Sequence, residues 1–168
     1  MKYVAFLRGI NVGGTGILPM KDLVALCGKL GFAQVKTYIQ SGNVLFESNL
    51  SGSAIVAKLE KALKNKMGKE IIVVVRTEAE LTQILKKNPF PKANPAQVGV
   101  HLFASPISKN FMEAVVATRE EVVPAKREVY VHYLDGMGKT KLKLPAEAKK
   151  ATVRNINTLA KIRILFEK

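Results

Sequence analysis

Residues 3–14, YVAFLRGINVGG, decide the fold: an apolar, β-rich run leads directly into an arginine, an asparagine and three glycines. A second stretch, TYIQSGNVLF at residues 37–46, places Ser41 and Gly42 between two runs that favour β-strands. A short serine-glycine turn between such runs is typical of a β-hairpin. The two stretches therefore predict one strand and one hairpin of the same sheet.

The residues around these stretches predict an alternation of strands and helices. Pro19 suits the first turn of a helix that ends at Gly31, and Ser51 or Ser53 can cap a second helix that ends at Gly68. Strands are predicted at residues 3–10, 34–40, 43–48 and 70–75. The resulting order, β-α-β-β-α-β, is that of the ferredoxin-like, or split βαβ, unit.

The second half of the chain predicts a similar but shorter order. Thr77 and Glu80 form a capping-box pattern that starts a helix at 78–87, and NPFPKANP at 88–95 is rich in proline. Strands at 98–104, 121–123 and 128–134 and helices at 108–118 and 155–166 follow. We predict an α+β protein of two ferredoxin-like units in tandem, the second a variant or incomplete one. The predicted parts are a first domain at 1–87, a proline-rich linker at 88–97 and a second domain at 98–168.

The composition is that of a globular protein with a strong positive charge. Of 168 residues, 48% are hydrophobic and 24% charged, and 27 Lys and Arg against 13 Asp and Glu give a net charge of +14. Residues 138–168 hold nine basic and two acidic side chains, so this segment carries +7. Such a charge favours an anionic partner. Without a recognisable signal peptide or membrane-spanning run, the sequence predicts a cytoplasmic protein.

Cysteine and histidine give no sign of a metal, a disulfide or a cofactor. The single Cys27 shares a predicted helix face with leucines, which indicates core packing rather than a reactive thiol. His101 and His132 are far apart along the chain and form no local metal-ligand motif. The sequence therefore predicts neither a metal site nor a cofactor.

The topology of the first unit predicts one candidate ligand site. Its first and third strands are adjacent and antiparallel, so the end of one and the start of the other lie at the same edge of the sheet. The candidate ligand-binding residues at this edge are Arg8, Asn11, Gly13, Gly14, Gln40, Ser41 and Asn43. Backbone N–H groups of a glycine-rich loop can surround a phosphate. The spacing matches neither the dinucleotide fingerprint nor the P-loop, and glycines needed only for backbone conformation are the alternative.

A second candidate site lies in the C-terminal segment. DGMGKTK at 135–141 is a glycine turn with two lysines, and Thr152 is placed to cap the last predicted helix. The start of a helix beside cations attracts anions. The candidate residues are Lys139, Lys141, Arg154, Asn155 and Asn157. A solvated basic face with an ordinary helix cap is the alternative.

Four stretches of the chain resemble the signature stretches of a bacterial family, the domain of unknown function 1697 (DUF1697). They are FLRGINVGG (6–14), TYIQSGNVLFES (37–48), DGMGKTKL (135–142) and TVRNINT (152–158). The resemblance is specific because spaced stretches agree in order over nearly the full length. It implies an architecture of ferredoxin-like units and no established activity. Ile156 departs from the pattern, since we expect the family to carry tryptophan there.

We therefore predict that the protein binds a phosphate-bearing or otherwise anionic small molecule, such as a nucleotide. Non-sequence-specific binding of nucleic acid on an open sheet face is the alternative, although SGNVLFES at 41–48 lacks the aromatic rings of RNA-binding sheets. A protein-interaction adaptor is a third hypothesis. Neither candidate site contains a visible nucleophile or general base, so whether the protein is an enzyme stays open.

Overall fold

A computed structural model describes residues 1–13 and 16–168 of the chain. The described chain divides into two units, Met1–Glu80 and Leu81–Lys168, and each contains one four-stranded sheet. With helices beside antiparallel sheets, the architecture is α+β, as the sequence predicts. Among these residues, no helix combines the length and the apolar character needed to cross a membrane.

The first unit has the predicted order of strands and helices. Its elements are β1 (Lys2–Leu7), α1 (Met20–Lys29), β2 (Ala33–Tyr38), β3 (Asn43–Glu47), α2 (Gly52–Met67) and β4 (Val73–Thr77). The sheet has the order β2-β3-β1-β4, and every pairing in it is antiparallel. The first and third strands are therefore the central ones, so the end of β1 lies beside the start of β3.

Capping interactions place the ends of the helices where the sequence marks them. Ser51 Oγ accepts a hydrogen bond of 3.2 Å from a backbone N–H three residues on, and Gly68 ends α2 with a φ of 73°. A further helix, α3 (Glu78–Lys86), begins with a capping box. Thr77 N donates to Glu80 Oε2 at 2.8 Å, and Glu80 N donates to Thr77 Oγ1 at 3.1 Å. These bonds satisfy N–H groups that the start of a helix leaves without partners.

One face of the first sheet packs against α1 and α2. Leu23 and Cys27 of α1 and Leu59 of α2 are fully buried in this core. Phe46 of β3 stacks on Phe32, with ring centroids 4.4 Å apart. Burial raises the pKa of the Cys27 thiol to about 12, so the thiol stays protonated at neutral pH. Cys27 is a packing residue, as its position among leucines predicts.

The opposite face of the same sheet is buried as well. Val4 and Phe6 of β1, Leu45 of β3, and Val74 and Arg76 of β4 are at most 1% exposed. Neighbouring residues of a strand point to opposite faces, so these side chains alternate with those that contact the helices. Strands β1, β3 and β4 therefore present no open face on which single-stranded nucleic acid could lie.

The second unit repeats the strand order of the first. Its elements are β5 (Val98–Leu102), β6 (Glu121–Pro124), β7 (Glu128–His132), β8 (Thr152–Asn155) and α4 (Ile156–Leu165). The sheet has the order β6-β7-β5-β8, again with antiparallel pairings throughout. In both units the strands lie in the order second, third, first, fourth. This shared order is what a structural duplication would produce.

The connection between β5 and β6 differs from the predicted helix at 108–118. The structure has a single short 3₁₀ helix there, Phe111–Ala114. Val116 then pairs with Lys143 through two backbone hydrogen bonds of 2.9 Å. The helix prediction is wrong because β-branched Val115 and Val116 favour extended backbone, and a partner distant in sequence stabilises that conformation.

The end of the chain also differs from the prediction, which has a helix from 155 capped by Thr152 and no fourth strand. In the structure, residues 152–155 form β8, which pairs with β5 so that Asn155 lies opposite Gly99. Asn155 is the cap of α4, because its Oδ1 accepts a hydrogen bond of 2.8 Å from Thr158 N. Thr152 cannot cap the helix because it begins the strand.

The boundary between the two units falls within α3 and precedes the proline-rich stretch. Tyr130 Oη donates to the carbonyl of Ile84 at 2.7 Å, and Arg163 Nε donates to Thr82 Oγ1 at 2.7 Å. These bonds connect α3 to β7 and α4 within the second unit. The predicted domains, 1–87 and 98–168, stay a prediction. The interpretation of 88–97 as a linker stays a prediction.

Candidate functional site

The two stretches that decide the first unit meet at one end of its sheet. Phe6 of β1 pairs with Asn43 of β3, and the next residue, Leu7, donates its N–H to the carbonyl of Gly42 at 2.9 Å. The loop after β1 and the turn before β3 therefore leave the sheet side by side. We call the surface formed by residues 8–13 and 39–43 the loop-end site.

Asn11 holds the two loops of the loop-end site together. Its Nδ2 donates to the carbonyl of Leu18 at 2.8 Å and to the carbonyl of Gln40 at 2.9 Å. Its Oδ1 accepts a hydrogen bond of 2.7 Å from Leu18 N. The residue has a φ of 56°, a left-handed conformation that asparagine tolerates better than most residues. Asn11 is thus a positioning residue, because its polar atoms are already used by the protein.

Asn43 is also a positioning residue rather than a ligand contact. Its side chain is fully buried, and its Nδ2 donates to the carbonyl of Tyr38 at 2.9 Å and to Ser41 Oγ at 3.0 Å. These bonds close the turn at 39–42 from inside and orient the Ser41 hydroxyl. Ser41 is half-buried and Gln40 is exposed, so these two residues can reach a ligand.

Arg8 and the glycines form the remaining part of the loop-end site. The Arg8 side chain is exposed directly after β1, and Gly9, with a φ of 67°, turns the chain away from the sheet. Gly13 is exposed, whereas the predicted Gly14 lies outside the described residues. Neither 8–19 nor 39–43 contains an aspartate or a glutamate in the sequence. These two segments therefore contribute no carboxylate to the loop-end site.

Both segments also expose apolar side chains. Val12 and Ile17 follow Arg8 along the first loop and are 54% and 80% exposed, and Ile39 in the turn is 49% exposed. Exposed apolar side chains are normal when they are scattered, but several beside a polar group are typical of a binding surface. We call Val12, Ile17 and Ile39 the apolar rim; Val12 and Ile39 belong to the loop-end site, and Ile17 lies on the continuation of its first loop.

The second predicted site does not assemble as the sequence suggests. Arg154 lies on β8, where its Nη1 donates to Thr152 Oγ1 and to the carbonyl of Val153, both at 2.9 Å. Burial lowers the pKa of Arg154 to about 10. The two hydrogen bonds tie its side chain to the edge strand β8. Asn155 uses its Oδ1 to cap α4.

The glycine turn at 135–142 is tied to the segment before β6. Arg119 Nη1 contacts both carboxylate oxygens of Asp135, at 3.0 and 3.1 Å, and Thr140 Oγ1 donates to Glu120 Oε1 at 2.6 Å. The sequence gives no sign of these partners, because they lie about 20 residues away along the chain. The predicted Lys139, Lys141 and Asn157 are exposed at the surface.

We expect Thr140→Val to raise the pKa of Glu120. Hydrogen bonds, first the one from the Thr140 hydroxyl and then those from nearby backbone N–H groups, lower the pKa of Glu120 from 4.5 to about 2. A pKa lowered in the folded state stabilises the fold above the unfolded value near 4.5, and the stabilisation disappears as the pH falls toward 2. A carboxyl ¹³C NMR titration measures the pKa. The stability deficit of the variant should likewise shrink over this pH range.

The control for this experiment is Thr118→Val. Thr118 Oγ1 lies 3.3 Å from Glu120 Oε2, a longer hydrogen bond than the one from Thr140. The control should therefore move the pKa of Glu120 less. An unchanged pKa in Thr140→Val would show that the Thr140 hydroxyl is not the cause of the lowered value.

One buried polar pair could not be predicted from the sequence, because its two residues are 32 positions apart. His101 Nε2 and Tyr133 Oη share a hydrogen bond of 2.7 Å, and both side chains are less than 10% exposed. Gly99 lies against the tyrosine ring, since an added Cβ would be 2.8 Å from Tyr133 Cε2. Burial raises the pKa of Tyr133 to about 12, so the phenol stays protonated and satisfies its partner. The pair belongs to the packing of the second unit.

Metal binding finds no support in the described residues. Within 1–13 and 16–168, no group of three or more His, Cys, Asp or Glu side chains is placed to hold an ion.

Comparison with known proteins identifies the family. The family model described as "Protein of unknown function (DUF1697)" matches residues 1–130. The chain belongs to this family. The match includes both loops of the loop-end site, whereas the stretches at 135–142 and 152–158 lie beyond the matched residues.

A solved structure agrees with the fold. The chain is similar to the conserved bacterial protein SP0830 from Streptococcus pneumoniae, with a TM-score of 0.79 and 22% sequence identity. The similarity covers 98% of this chain and 97% of the other, so both units are included. At this identity the likeness concerns the fold alone. Among curated proteins, no relative matches the chain.

Proposed function

We propose that the protein binds a small phosphate-bearing molecule of nucleotide type at the loop-end site. The observation that carries this proposal is the pair of carboxylate-free loops that Asn11 joins, with Arg8, Gln40 and Ser41 at their surface. We propose in addition that both units are ferredoxin-like, on the grounds of their common strand order.

A phosphate group suits the polar part of the site. Arg8 supplies a guanidinium group, whose fork of N–H donors matches phosphate oxygens. The loop backbone at Gly9 and Gly13 can approach a ligand closely because these residues have no side chain. The absence of acidic residues from both loop sequences favours an anion over a cation.

The apolar rim supports a ligand larger than inorganic phosphate. Val12, Ile17 and Ile39 lie on the same two segments as the polar groups and are largely exposed. An aromatic base or another apolar moiety attached to a phosphate could cover these side chains and remove their surface from water. A nucleotide has both parts, which is why we prefer it to a sugar phosphate.

Binding rather than catalysis is the proposed activity. Residues 8–19 and 39–43 contain no Asp, Glu, His or Cys, so their sequence offers no ordinary general base or thiol nucleophile. Asn11 and Asn43, the polar groups closest to the sheet, are engaged in holding the loops. A location in the cytoplasm, where nucleotides are abundant, is part of the proposal.

The alternative of nucleic acid on an open sheet gains no support. In the described strands of both units the central residues are buried, as Phe6 and Leu45 of the first sheet and Val100 and Val131 of the second illustrate. An RNA-binding sheet instead exposes aromatic rings for stacking. Exposed lysines such as Lys139 and Lys141 remain able to contact a polyanion, but no feature of the structure selects one.

The proposal is tested with the purified protein and its Arg8→Ala variant. The chain has no Trp and four Tyr, so a bound nucleotide would dominate its ultraviolet absorbance. We expect a small molecule to be released on denaturation, or AMP and related nucleotides to raise the melting temperature. Loss of the Arg8–phosphate hydrogen bonds should weaken binding about tenfold or more, as titration calorimetry would show.

Two controls distinguish this site from general attraction of anions. Lys29→Ala removes one positive charge from the end of α1 and should leave the affinity unchanged. If binding disappears in high salt, and if Arg8→Ala and Lys29→Ala weaken it equally, the overall positive charge of the protein attracts the anion and the loop-end site does not. A sample without released ligand and without a thermal response to nucleotides would contradict the proposal.

A further inference from the structure

The second unit contains a surface pocket that the loop-end site does not involve. Its volume is about 280 Å³. Residues between Pro106 and Met112 form one wall, and Pro124, Ala125 and Lys126 form the other. The two walls are joined where Ile107 N donates to the carbonyl of Lys126 at 2.9 Å. The pocket is therefore part of the folded unit and does not depend on the conformation of a free loop.

The floor of the pocket is apolar. Phe111 is 2% exposed and packs edge-on against Phe103, with ring centroids 5.9 Å apart at an angle of 87°. Met112 lies above it with 39% of its surface exposed, and both prolines add apolar surface. A flexible methionine adapts to ligands of different shape. The floor thus suits an alkyl or aryl group.

A lysine residue lines each wall of this apolar pocket. Lys109 and Lys126 line it from opposite walls, and in the described part of the chain neither forms an ion pair. No acidic residue lines the pocket. The Glu147 carboxylate accepts hydrogen bonds from the amide and hydroxyl groups of Ser108, which lines the pocket. Two lysines against this one carboxylate make the charge of the pocket positive.

Several backbone N–H groups of the pocket are already hydrogen-bonded. Ile107, Ser108, Phe111 and Ala125 already donate their backbone N–H groups within the protein, and prolines have none. The Ser108 hydroxyl donates to Glu147. The two lysines, one on each wall, suit the two oxygens of one carboxylate.

We propose that this pocket binds a small carboxylic acid with an apolar body, its carboxylate between Lys109 and Lys126 and its apolar part on Phe111 and Met112. The volume lies just below the range of roughly 300–1,000 Å³ typical of ligand pockets, which favours a ligand smaller than a nucleotide. The inference concerns the second unit and is independent of the loop-end site.

The test uses hexanoate and its neutral analogue hexanamide, titrated into the full chain and followed by ¹H–¹⁵N NMR. We expect hexanoate to shift the amide signals of residues 107–112 and 125–126, and hexanamide to bind about tenfold more weakly. The double variant Lys109→Met/Lys126→Met keeps the apolar stems but removes both charges. It should weaken hexanoate binding about tenfold and leave hexanamide unaffected.

The matched control is Lys150→Met/Lys161→Met, which removes two exposed charges outside the pocket. Hexanoate affinity in this control should equal that of the unchanged protein. The proposal is overturned if millimolar hexanoate shifts no signal of the pocket, or if the shifts map elsewhere. It is equally overturned if the two double variants bind hexanoate alike. Circular dichroism melts confirm that both variants are folded.

Discussion

Replacing Gly42 with alanine should lower the free energy of unfolding by about 2–5 kcal/mol. Gly42 has a φ of +89°, and an added Cβ would lie 2.7 Å from Ile10 Cδ1 and 3.0 Å from Leu7 Cβ. The left-handed backbone costs alanine about 1–2 kcal/mol, and crowding in a packed region about 1–3 kcal/mol more. Urea unfolding followed by circular dichroism measures the loss.

Gly28→Ala is the control for this substitution. Gly28 lies inside α1, and an added Cβ there meets nothing within 4 Å. Alanine in a helix interior should stabilise the protein by about 0.5–1 kcal/mol. If Gly42→Ala were as stable as the unchanged protein, the tight junction between β1 and the turn at 39–42 would be refuted.

Replacing Asn11 with alanine should lower the free energy of unfolding by about 2–3 kcal/mol. The substitution removes three hydrogen bonds, two to the carbonyls of Leu18 and Gln40 and one from Leu18 N. It also places alanine at a φ of 56°, which asparagine adopts more easily. Because the two loops are joined by Asn11, nucleotide binding at the loop-end site should be lost as well.

Two further variants separate the causes. Asn11→Gly removes the hydrogen bonds but accepts the positive φ, so it should be more stable than Asn11→Ala by about 1 kcal/mol. Asn11→Asp keeps an acceptor for Leu18 N but loses the donors to both carbonyls, so it should destabilise as well. Equal unfolding free energies for Asn11→Ala and the unchanged protein would show that Asn11 does not hold the loops.

Local patterns in the sequence predict much of the first unit correctly. The apolar run, the Ser-Gly turn and the helix caps at Ser51 and Thr77 each act within a few residues, so their effect can be read without knowing the fold. The meeting of Arg8 with the turn at 39–42 follows from strand order alone. The candidate residues at this end of the sheet could therefore be proposed before the structure.

The roles of individual side chains could not be predicted in the same way. Asn11, Asn43 and Arg154 all look like ligand-binding residues in the sequence, yet each is used by the protein itself. A polar side chain binds whichever partner lies within reach, and a backbone carbonyl of another loop serves as well as a ligand. For Asn11 and Gln40 the partners are 29 residues apart.

The second unit shows most clearly where local sequence patterns are not sufficient to predict the structure. An apolar run at 111–116 fits a helix or a strand equally well, and the pairing of Val116 with Lys143 decides between them. Residues 152–155 likewise become β8 because β5 has a free edge, and the cap of α4 moves to Asn155 as a result. The hydrogen bonds of α3 to Tyr130 and Arg163 likewise span 46 and 81 residues of sequence.

The sequence by itself determined the α+β class, the element order of the first unit, the convergence of its two loops and the positive charge. The class, the element order and the charge depend on local propensity and on composition, which can be read from the sequence directly. The convergence of the loops then follows from the strand order of the predicted unit. Only the tertiary structure decided which polar side chains are occupied, where the second unit gains its fourth strand, and that a positively charged apolar pocket forms between residues 106–112 and 124–126. These properties depend on contacts between residues far apart in sequence, and such contacts exist only after the chain has folded.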